Sequence, residues 1–278
     1  MDKDLHIYCI NLKYRKDRWI KFNAQTEVQL LQSLYSFERF DAVVGKKIDI
    51  ENDARISMRT RRNILDRTRR DHEELDTPGG VGCYLSHTTV WKQFLDRKEE
   101  YAMIFEDDAI LSVNFVHMFQ SAVKDIDLLP QKPDIWYFSG PTRWYYESKG
   151  RPLPHTVAKN NIGPWVTPYC STFTGYVINK HGARQLLEAA FPIDMHVDLY
   201  SCLVGDMGKL FSVHHKNISI GQDMMLRTDI QTEKSCKICD IPTSGLSTST
   251  IVLPLPVLLV GVTIVGVLLF IREFSGKK

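Results

Sequence analysis

Three consecutive carboxylates, Glu106, Asp107 and Asp108, directly follow the apolar segment 101–105. Adjacent carboxylates repel one another at neutral pH, so such a row shifts its pKa values or recruits a cation. Carboxylate oxygens are hard ligands that favour Mg²⁺ or Mn²⁺, and these ions keep coordination positions open for phosphate oxygens. In open α/β sheets, ligands bind beyond the carboxyl ends of the strands, where this triplet falls. The triplet therefore indicates a metal–diphosphate site, although a solvated acidic turn after a strand has the same composition.

The glycine-rich segment 80–87, GVGCYLSH, precedes the triplet and opens a helix that should run to about Lys98. The apolar face of this helix, expected in the core, carries residues at i, i+3 and i+4 spacing: Tyr84, His87, Trp91, Phe94 and Leu95. The glycines allow close backbone approach to a phosphate or sugar, and an ordinary βα connection uses glycine for the same reason. Ser86 and His87 are secondary candidates, because a histidine on an apolar helical face is usually a hydrogen-bonded structural residue.

Further motifs flank these two segments in a fixed order. The motifs are 10–12 with Arg15, Asp17 and Arg18; RFDAVVG at 39–45; GCYLSH at 82–87; FEDDA at 105–109; and, more loosely, GYVI at 175–178 with 182–187 and PID at 192–194. In this order the chain resembles glycosyltransferase family 25, which includes lipopolysaccharide glycosyltransferases and collagen galactosyltransferases. The resemblance covers most of residues 5–230.

The resemblance implies a fold, a donor and a metal. The fold is α/β, a GT-A-like single domain with a Rossmann-like mixed sheet flanked by helices. The donor is a uridine diphosphate sugar, and the cofactor is Mn²⁺ or Mg²⁺ held by Asp108 with Asp107. The implied donor-binding residues are Asn11, Leu12, Arg15, Arg18, Asp41, Ala42, Gly45, Gly82, Ser86, His87, Glu106 and Asp107.

The resemblance also implies transfer with inversion, which requires a base to take the proton of the acceptor hydroxyl. Asp194 is the first candidate because it follows Pro192 at the position of the family's acidic motif. Asp198 lies one helical turn further on, and the pair could instead form a helix-start cap without a catalytic role. His214 or His215 could add a metal ligand, as a carboxy-terminal histidine does in several GT-A enzymes. Adjacent histidines on a strand point to opposite faces, so at most one of them does so.

The carboxy-terminal segment 251–271 contains no charged residue. As a helix rising about 1.5 Å per residue it would be about 31 Å long, enough to cross a bilayer core. We therefore expect a catalytic domain at 1–240, a Ser/Thr-rich tether at 241–250, a transmembrane helix at 251–271 and a short basic tail at 272–278. A buried core helix is the alternative. This arrangement is a single-pass C-terminal anchor, with a lipid membrane as a partner.

The amino terminus, by contrast, carries no recognisable signal peptide, so we expect the catalytic domain in the cytosol. The net charge of +2 gives no electrostatic footprint for a nucleic-acid partner. Of the six cysteines, Cys236 and Cys239 form one C-x-x-C, which is half of a structural zinc site. Reduced thiols are the expectation in the cytosol, where the sequon at Asn217 would have no role.

Strands and helices are predicted to alternate along the chain. The predicted strands are 5–11, 37–43, 101–105, 135–139, 172–178 and 209–213, and the predicted helices are 17–33, 80–98, 115–123 and one that starts after an N-cap at Asn179. The charge-rich segment 46–76 indicates a solvated helix or a mobile loop. Its functional alternative is a lid over the donor, with one arginine at the diphosphate. The segment 140–169 is irregular, with prolines and aromatic residues that could pack on an acceptor sugar or on the core.

Together these observations predict a metal-dependent glycosyltransferase. It would move galactose or glucose from a UDP-sugar to a hydroxyl of a glycan or protein acceptor. The alternative is a catalytically inactive, membrane-tethered glycan-binding or scaffolding protein of the same fold. Val44, which stands where the family usually has a polar residue, favours the alternative, and the intact triplet opposes it.

Overall fold

A computed structural model describes residues 4–68, 74–138, 151–152, 164–166, 172–215, 218, 220–223, 225–226 and 228–230. These residues belong to a unit that spans 1–236, and residues 237–278 form a separate unit. The predicted tether, transmembrane helix, basic tail, C-x-x-C, Asn217 sequon and most of the irregular segment 140–169 lie outside the described residues. Within the ranges given, no helix is long and apolar enough to cross a membrane.

Strands and helices alternate along the first half of the chain. The strands are β1 Leu5–Asn11, β2 Ser36–Asp41, β3 Tyr101–Glu106, β4 Ala109–Leu111, β5 Ile135–Tyr137, β6 Arg151–Pro152, β7 Pro164–Val166, β8 Gly175–Asn179, β9 Ser212–His215 and β10 Ile220–Gln222. The helices are α1 Lys16–Asn23, α2 Thr26–Leu34, α3 Met58–Asp66, α4 Pro78–Leu95, α5 Phe115–Asp127, α6 Lys180–Glu188 and α7 Val197–Asp206, with a 3₁₀ turn at Gly45–Lys47.

The main sheet is mixed, and its described strands follow the order β2-β1-β3-β8-β5-β9-β7-β6. Strand β1 pairs in parallel with β2 and with β3. Strand β8 runs antiparallel to both β3 and β5, and β9 is parallel to β5. Strands β1, β2, β3, β5 and β9 therefore all end at the same edge of the sheet. Strands β4 and β10 form a separate antiparallel pair beside that edge.

Hydrophobic clusters cover both faces of this sheet. Successive strand residues point to opposite faces, so Tyr8 and Ile104 join one cluster with α4 and α6, whereas Ile7 and Met103 join the other with α2 and α5. Every residue of β1 is buried, as expected for a strand covered on both sides. The predicted α/β class with a mixed sheet flanked by helices is confirmed.

The predicted helix 17–33 is wrong in one respect, because the chain forms two helices, α1 and α2. The backbone of Gln25 is extended, with ψ of 131°. Its side-chain nitrogen donates to the Ala109 carbonyl at 2.8 Å, and its side-chain oxygen accepts from the Leu111 amide at 2.9 Å. Both polar atoms of the Gln25 side chain thus bind strand β4. This contact joins segments that are distant along the chain, so local periodicity does not reveal it.

Helix α4 begins two residues before the predicted start and ends at Leu95 rather than near Lys98. Thr77 caps it, since its hydroxyl accepts from the Gly80 amide at 3.2 Å, and Pro78 occupies the first turn. The predicted N-cap at Asn179 is confirmed, because its side-chain oxygen accepts from the Gly182 amide at 2.7 Å.

The charge-rich segment 46–76 is in part a packed helix rather than a solvated one. Helix α3 lies within it and buries Thr60, Asn63 and Ile64, while its arginines remain at least partly exposed. Residues 69–73, with two of the arginines, lie outside the described ranges. The predicted strand 209–213 is displaced, since β9 covers 212–215 and includes both histidines.

Candidate functional site

A cavity of about 550 Å³ opens at the carboxyl ends of β1, β2 and β3, and the amino-terminal turn of α4 and the end of α3 complete its walls. Many of the predicted site residues line it: Leu12, Arg18, Ala42, Gly45, Ser86, Glu106, Asp107 and Asp108. Its size is within the usual range for a small-molecule site. The structure therefore brings together the triplet and three sequence motifs that are far apart along the chain.

Asp107 is held by two neighbours. Arg18 donates to one carboxylate oxygen at 2.7 Å, and the Asn11 side chain donates to the other at 2.5 Å. Arg39 donates in turn to Asn11, from Nε, at 2.9 Å. Burial raises the pKa of Asp107, although Arg18 and Asn11 oppose this effect. Asn11 does not line the cavity and acts by orienting Asp107.

Asp108 has a different environment from Asp107, because only one of its carboxylate oxygens is engaged. Oδ2 accepts from Gln222 at 3.2 Å and lies 3.6 Å from Arg18 Nη1. Oδ1 is buried and has no hydrogen-bond partner in the described part of the chain. Burial, with the charge of Glu106, raises the pKa of Asp108 to about 7. A buried carboxylate oxygen without a partner is costly unless a cation approaches it, so Asp108 fits the role of a divalent-metal ligand.

Glu106 is oriented by a chain of buried groups. Trp91 Nε1 donates to the Tyr176 hydroxyl at 2.8 Å, and that hydroxyl lies 2.9 Å from His87 Nδ1. The Tyr176 proton is then available for Nδ1, which leaves Nε2 of neutral His87 as the donor to Glu106 at 3.2 Å. Burial acts to raise the pKa of Glu106, but the contacts with His87 and Cys83 and the charge of Arg18 together lower it.

His87 itself is fully buried and does not line the cavity. His87 is therefore a hydrogen-bonded structural residue, which is the alternative role predicted from the sequence. It can influence a ligand through Glu106. Ligand atoms of Cys83, His87 and Glu106 also lie within 4.8 Å of one another. A metal ion there would have to replace the contact between His87 and Glu106, so we assign these groups to orientation of the carboxylate.

Two predicted glycines allow α4 to pack directly on the loop after β2. A Cβ on Gly82 would lie 2.7 Å from the Val43 carbonyl oxygen, and one on Gly45 would lie 2.0 Å from that of Pro78. Ser86 fastens the same contact, because its hydroxyl donates to the Gly82 carbonyl at 2.7 Å and accepts from the Val43 amide at 2.9 Å. Gly45, Gly82 and Ser86 all line the cavity or lie directly beside it. The close packing of α4 on this loop explains why glycine and serine occur at these positions.

Two predicted donor-binding residues lie at the margin of the cavity. Arg15 pairs with Asp17 at 2.9 Å and with Asp229, which itself lines the cavity. Asp41 is exposed, does not line the cavity, and lies 4.0 Å from the amine of Lys13. Neither carries a contact to the triplet.

The two candidate bases have different surroundings. Asp194 accepts from the Ser57 hydroxyl at 2.5 Å and forms an ion pair with Arg59, so its carboxylate is tied to α3. Asp198, in the first turn of α7, lies close enough to Glu106 for the two charges to interact. Burial, with this charge, raises the pKa of Asp198 to about 7, and Asp198 helps to raise the pKa of Cys83. Asp198, the second choice, thus interacts electrostatically with Glu106, although it is not among the residues that line the cavity.

The structure does not bring His214 to the triplet. Strand β9 is separated from β3 by β5 and β8, which corresponds to about 14 Å across three strand spacings. By sheet register, His214 is level with Tyr137, which is level with Tyr176, and hence with Ile104 inside β3. The side chain of His215 is not described. A metal role for His214 stays a prediction without geometric support.

Sequence reasoning did not assign several lining residues to the site. The additional residues are Ile10, Tyr14, Val43, Val44, Lys46, Ile64, Arg67, Asp76, Thr77, Pro78, Gly79, Cys83, Asp229 and Ile230. The Thr77–Pro78 pair is a recognisable helix start and could have been found. Lys46, Ile64, Arg67 and Asp76 belong to the segment 46–76, whose predicted alternative is a lid with one arginine at the diphosphate, although no single residue of it was assigned. The others depend on tertiary contacts, most clearly Asp229 and Ile230, which return to the cavity from the far end of the described chain.

The sequence of residues 4–201 matches the family described as "Glycosyltransferase family 25 (LPS biosynthesis protein)". Procollagen galactosyltransferase 1-B of Xenopus laevis is 28% identical over 183 residues, which are 66% of this chain and 28% of that protein. Procollagen galactosyltransferase 2 of Homo sapiens is 30% identical over 192 residues, 66% and 27% of the two chains. This chain thus spans little more than a quarter of the length of these relatives.

A Drosophila β1,4-galactosyltransferase 7 mutant, solved in complex with manganese, UDP-Gal and xylobiose, is similar over 83% of this chain and 76% of its own. Its sequence identity is 10% and its TM-score 0.37, too low to carry an argument. The sequence match, in contrast, covers well over half of the chain and includes the residues of the cavity from β1 to the triplet. It confirms the predicted resemblance, and the chain belongs to glycosyltransferase family 25.

Proposed function

We propose that this chain is a metal-dependent glycosyltransferase with a GT-A-like domain. It transfers a hexose from a UDP-sugar to a hydroxyl of a glycan or protein acceptor, with inversion. The observation that carries the proposal is the triplet at the cavity, where Asp108 keeps a buried oxygen without a partner among the described residues. The names of the relatives, procollagen galactosyltransferases, support galactose over glucose and a protein acceptor.

Asp108 is the residue that would hold the metal ion, through Oδ1, with Glu106 and Asp107 beside it. When bound, a divalent ion neutralises the donor diphosphate and stabilises its charge as it leaves. Arg18 lies against both Asp107 and Asp108, so it lowers the repulsion within the triplet. His87 holds Glu106 in one orientation by its hydrogen bond. These contacts keep three carboxylates together at one edge of the sheet.

Asp198 takes the proton in this proposal. The acceptor oxygen forms a bond to the anomeric carbon while the bond from that carbon to the diphosphate breaks, and the hydroxyl proton passes to the Asp198 carboxylate. A pKa of about 7 suits a general base at neutral pH. At that pH about half of the Asp198 carboxyl groups are ionised, and the carboxylate still binds a proton well. Asp194, our first candidate from sequence, is engaged by Arg59 and would serve α3 packing.

A donor assay on the full chain tests this function. We expect release of UDP from one or more UDP-sugars in the presence of Mn²⁺ and its loss with EDTA. Asp108→Asn should reduce UDP release by about two orders of magnitude with little change in melting temperature. Asp96→Asn, at an exposed residue after α4, is the matched control and should not change release. If Asp108→Asn works like the parent chain, the metal assignment is wrong.

The inactive, glycan-binding protein is the second candidate. Val44 lines the cavity, so its apolar side chain replaces a polar group at the site itself. Binding of UDP or of a glycan, without UDP release from any UDP-sugar, would favour this candidate. The anchor at 251–271, and the cytosolic side for the catalytic domain, remain proposals that truncation and cell fractionation can test.

A further inference from the structure

Arg67 adopts a backbone conformation that arginine rarely adopts. It ends helix α3 with φ of 51° and ψ of 45°, in the left-handed region. Glycine is the usual residue at such a position, followed by asparagine, because a Cβ is unfavourable there. In the described ranges, Asn114 is the other non-glycine residue with positive φ. A strained backbone that persists under a long side chain points to a role for that side chain.

Arg67 lines the cavity, and its side chain has no hydrogen-bond or ion-pair partner in the described part of the chain. Other arginines in the same region have partners: Arg55 binds Asp53, Arg59 binds Asp194, and Arg61 donates to the Asp53 carbonyl. Arg67 differs from them, because the described part of the chain provides it with neither a hydrogen bond nor an ion pair. Arg67 does line the cavity. Its charge is therefore available to a ligand.

The other charges of the cavity show what that ligand would be. Arg18 is already paired with Asp107 and Asp108. Lys46, like Arg67, lines the cavity without an ion-pair partner among the described residues. The β2–α4 connection thus brings to the cavity two cations that have no ion-pair partner among the described residues, together with the carboxylate of Asp76, whereas the triplet lies at the end of β3.

We propose that Arg67 binds the diphosphate of a nucleoside diphosphate donor, with Lys46 beside it. This inference rests on the proposed function, and it assigns the diphosphate to a specific wall of the cavity. A guanidinium group suits the role because its planar fork can donate two parallel hydrogen bonds to phosphate oxygens. The left-handed backbone at Arg67 turns the chain at the end of α3. An arginine at this position makes the helix end less stable than a glycine would.

One substitution separates this role from a purely structural one. Arg67→Gly removes the side chain and relieves the backbone strain at the same time. The proposal predicts that this variant melts at a higher temperature than the parent chain, yet binds UDP about 10-fold or more weakly. Arg67→Lys keeps the charge but loses the fork, so its affinity for UDP should be intermediate.

Calorimetric titration of the full chain with UDP and Mn²⁺, combined with thermal melting, gives both quantities. Uridine is the matched ligand control, since it has no phosphate and should bind the parent chain and Arg67→Gly equally. Arg62→Ala is the matched protein control, because it removes one exposed charge from α3 at a residue outside the cavity. UDP affinity in Arg62→Ala should remain within about 2-fold of the parent.

The outcomes separate the two proposals. Equal UDP affinity of Arg67→Gly and the parent chain would overturn the role of Arg67 and leave the proposed function intact. A similar loss of affinity in Arg62→Ala would also overturn it, because the effect would then be one of overall charge. Failure of the parent chain to bind UDP at all would overturn the proposed function as well.

Discussion

Substitution of Tyr176 by phenylalanine should be unusually costly for the loss of a single oxygen atom. The Tyr176 hydroxyl is fully buried and has two neighbours, Trp91 Nε1 at 2.8 Å and His87 Nδ1 at 2.9 Å. Tyr176→Phe leaves both of these buried groups without their partner. Each unsatisfied group costs about 1–3 kcal/mol, so the free energy of unfolding should fall by about 2–6 kcal/mol.

Tyr137→Phe is the matched control for this substitution. Tyr137 is equally buried in the same hydrophobic cluster, and its hydroxyl forms a hydrogen bond with the Ser201 hydroxyl at 2.6 Å. A serine hydroxyl can rotate to another acceptor, so Tyr137→Phe should cost about 1 kcal/mol. Urea unfolding followed by tryptophan fluorescence would measure both values under the same conditions.

The Tyr176→Phe substitution should also affect the functional site. Without the Tyr176 proton at Nδ1, His87 can change its tautomer, and Glu106 then loses a constant donor at Nε2. UDP release should therefore fall per folded molecule. The reasoning is refuted if Tyr176→Phe unfolds within 1 kcal/mol of the parent chain, or if Tyr137→Phe costs as much as Tyr176→Phe.

Two further predictions concern the cavity wall and the base. Gly82→Ala places a Cβ 2.7 Å from the Val43 carbonyl oxygen, so it should destabilise the fold by about 1–3 kcal/mol and weaken UDP binding. Gly221→Ala, with its nearest neighbour at 3.7 Å, is the control, and equal melting temperatures of the two variants would contradict the packing argument. For Asp198, the transfer rate should rise with pH towards a plateau above about 7, where the carboxylate is ionised. Because the folded pKa is raised from 3.8, the contribution of Asp198 to stability is present below about pH 4 and is lost as pH rises through about 7. Asp198→Asn should abolish the rise in rate and leave UDP affinity unchanged, whereas Asp194→Asn should lower the melting temperature and keep the rate per folded molecule. The reverse pattern would return the role of base to Asp194.

The sequence by itself determined the elements whose signals are local. The continuous apolar run 5–11 specified β1, and the Asn179 side chain specified the start of α6 by capping the Gly182 amide. The position of the triplet after an apolar strand, together with the ordered motifs, was enough to predict the family. It also predicted most of the cavity residues that lie at the carboxyl ends of β1, β2 and β3. These features follow from periodicity, capping and residue type, which act over a few neighbouring residues.

Tertiary structure alone decided which of these residues act on one another. Gln25 interrupts a helical pattern because it binds β4, 84 residues further on. Asp194 and Asp198 are carboxylates only four residues apart, yet Arg59 forms an ion pair with the first, whereas burial and the charge of Glu106 raise the pKa of the second. Asp107 and Asp108 are adjacent, but Asn11 and Arg18 satisfy the first and leave an oxygen of the second open. The pKa of a carboxylate and its freedom to bind a ligand depend on burial and on charges from distant segments, and only the folded chain brings these together.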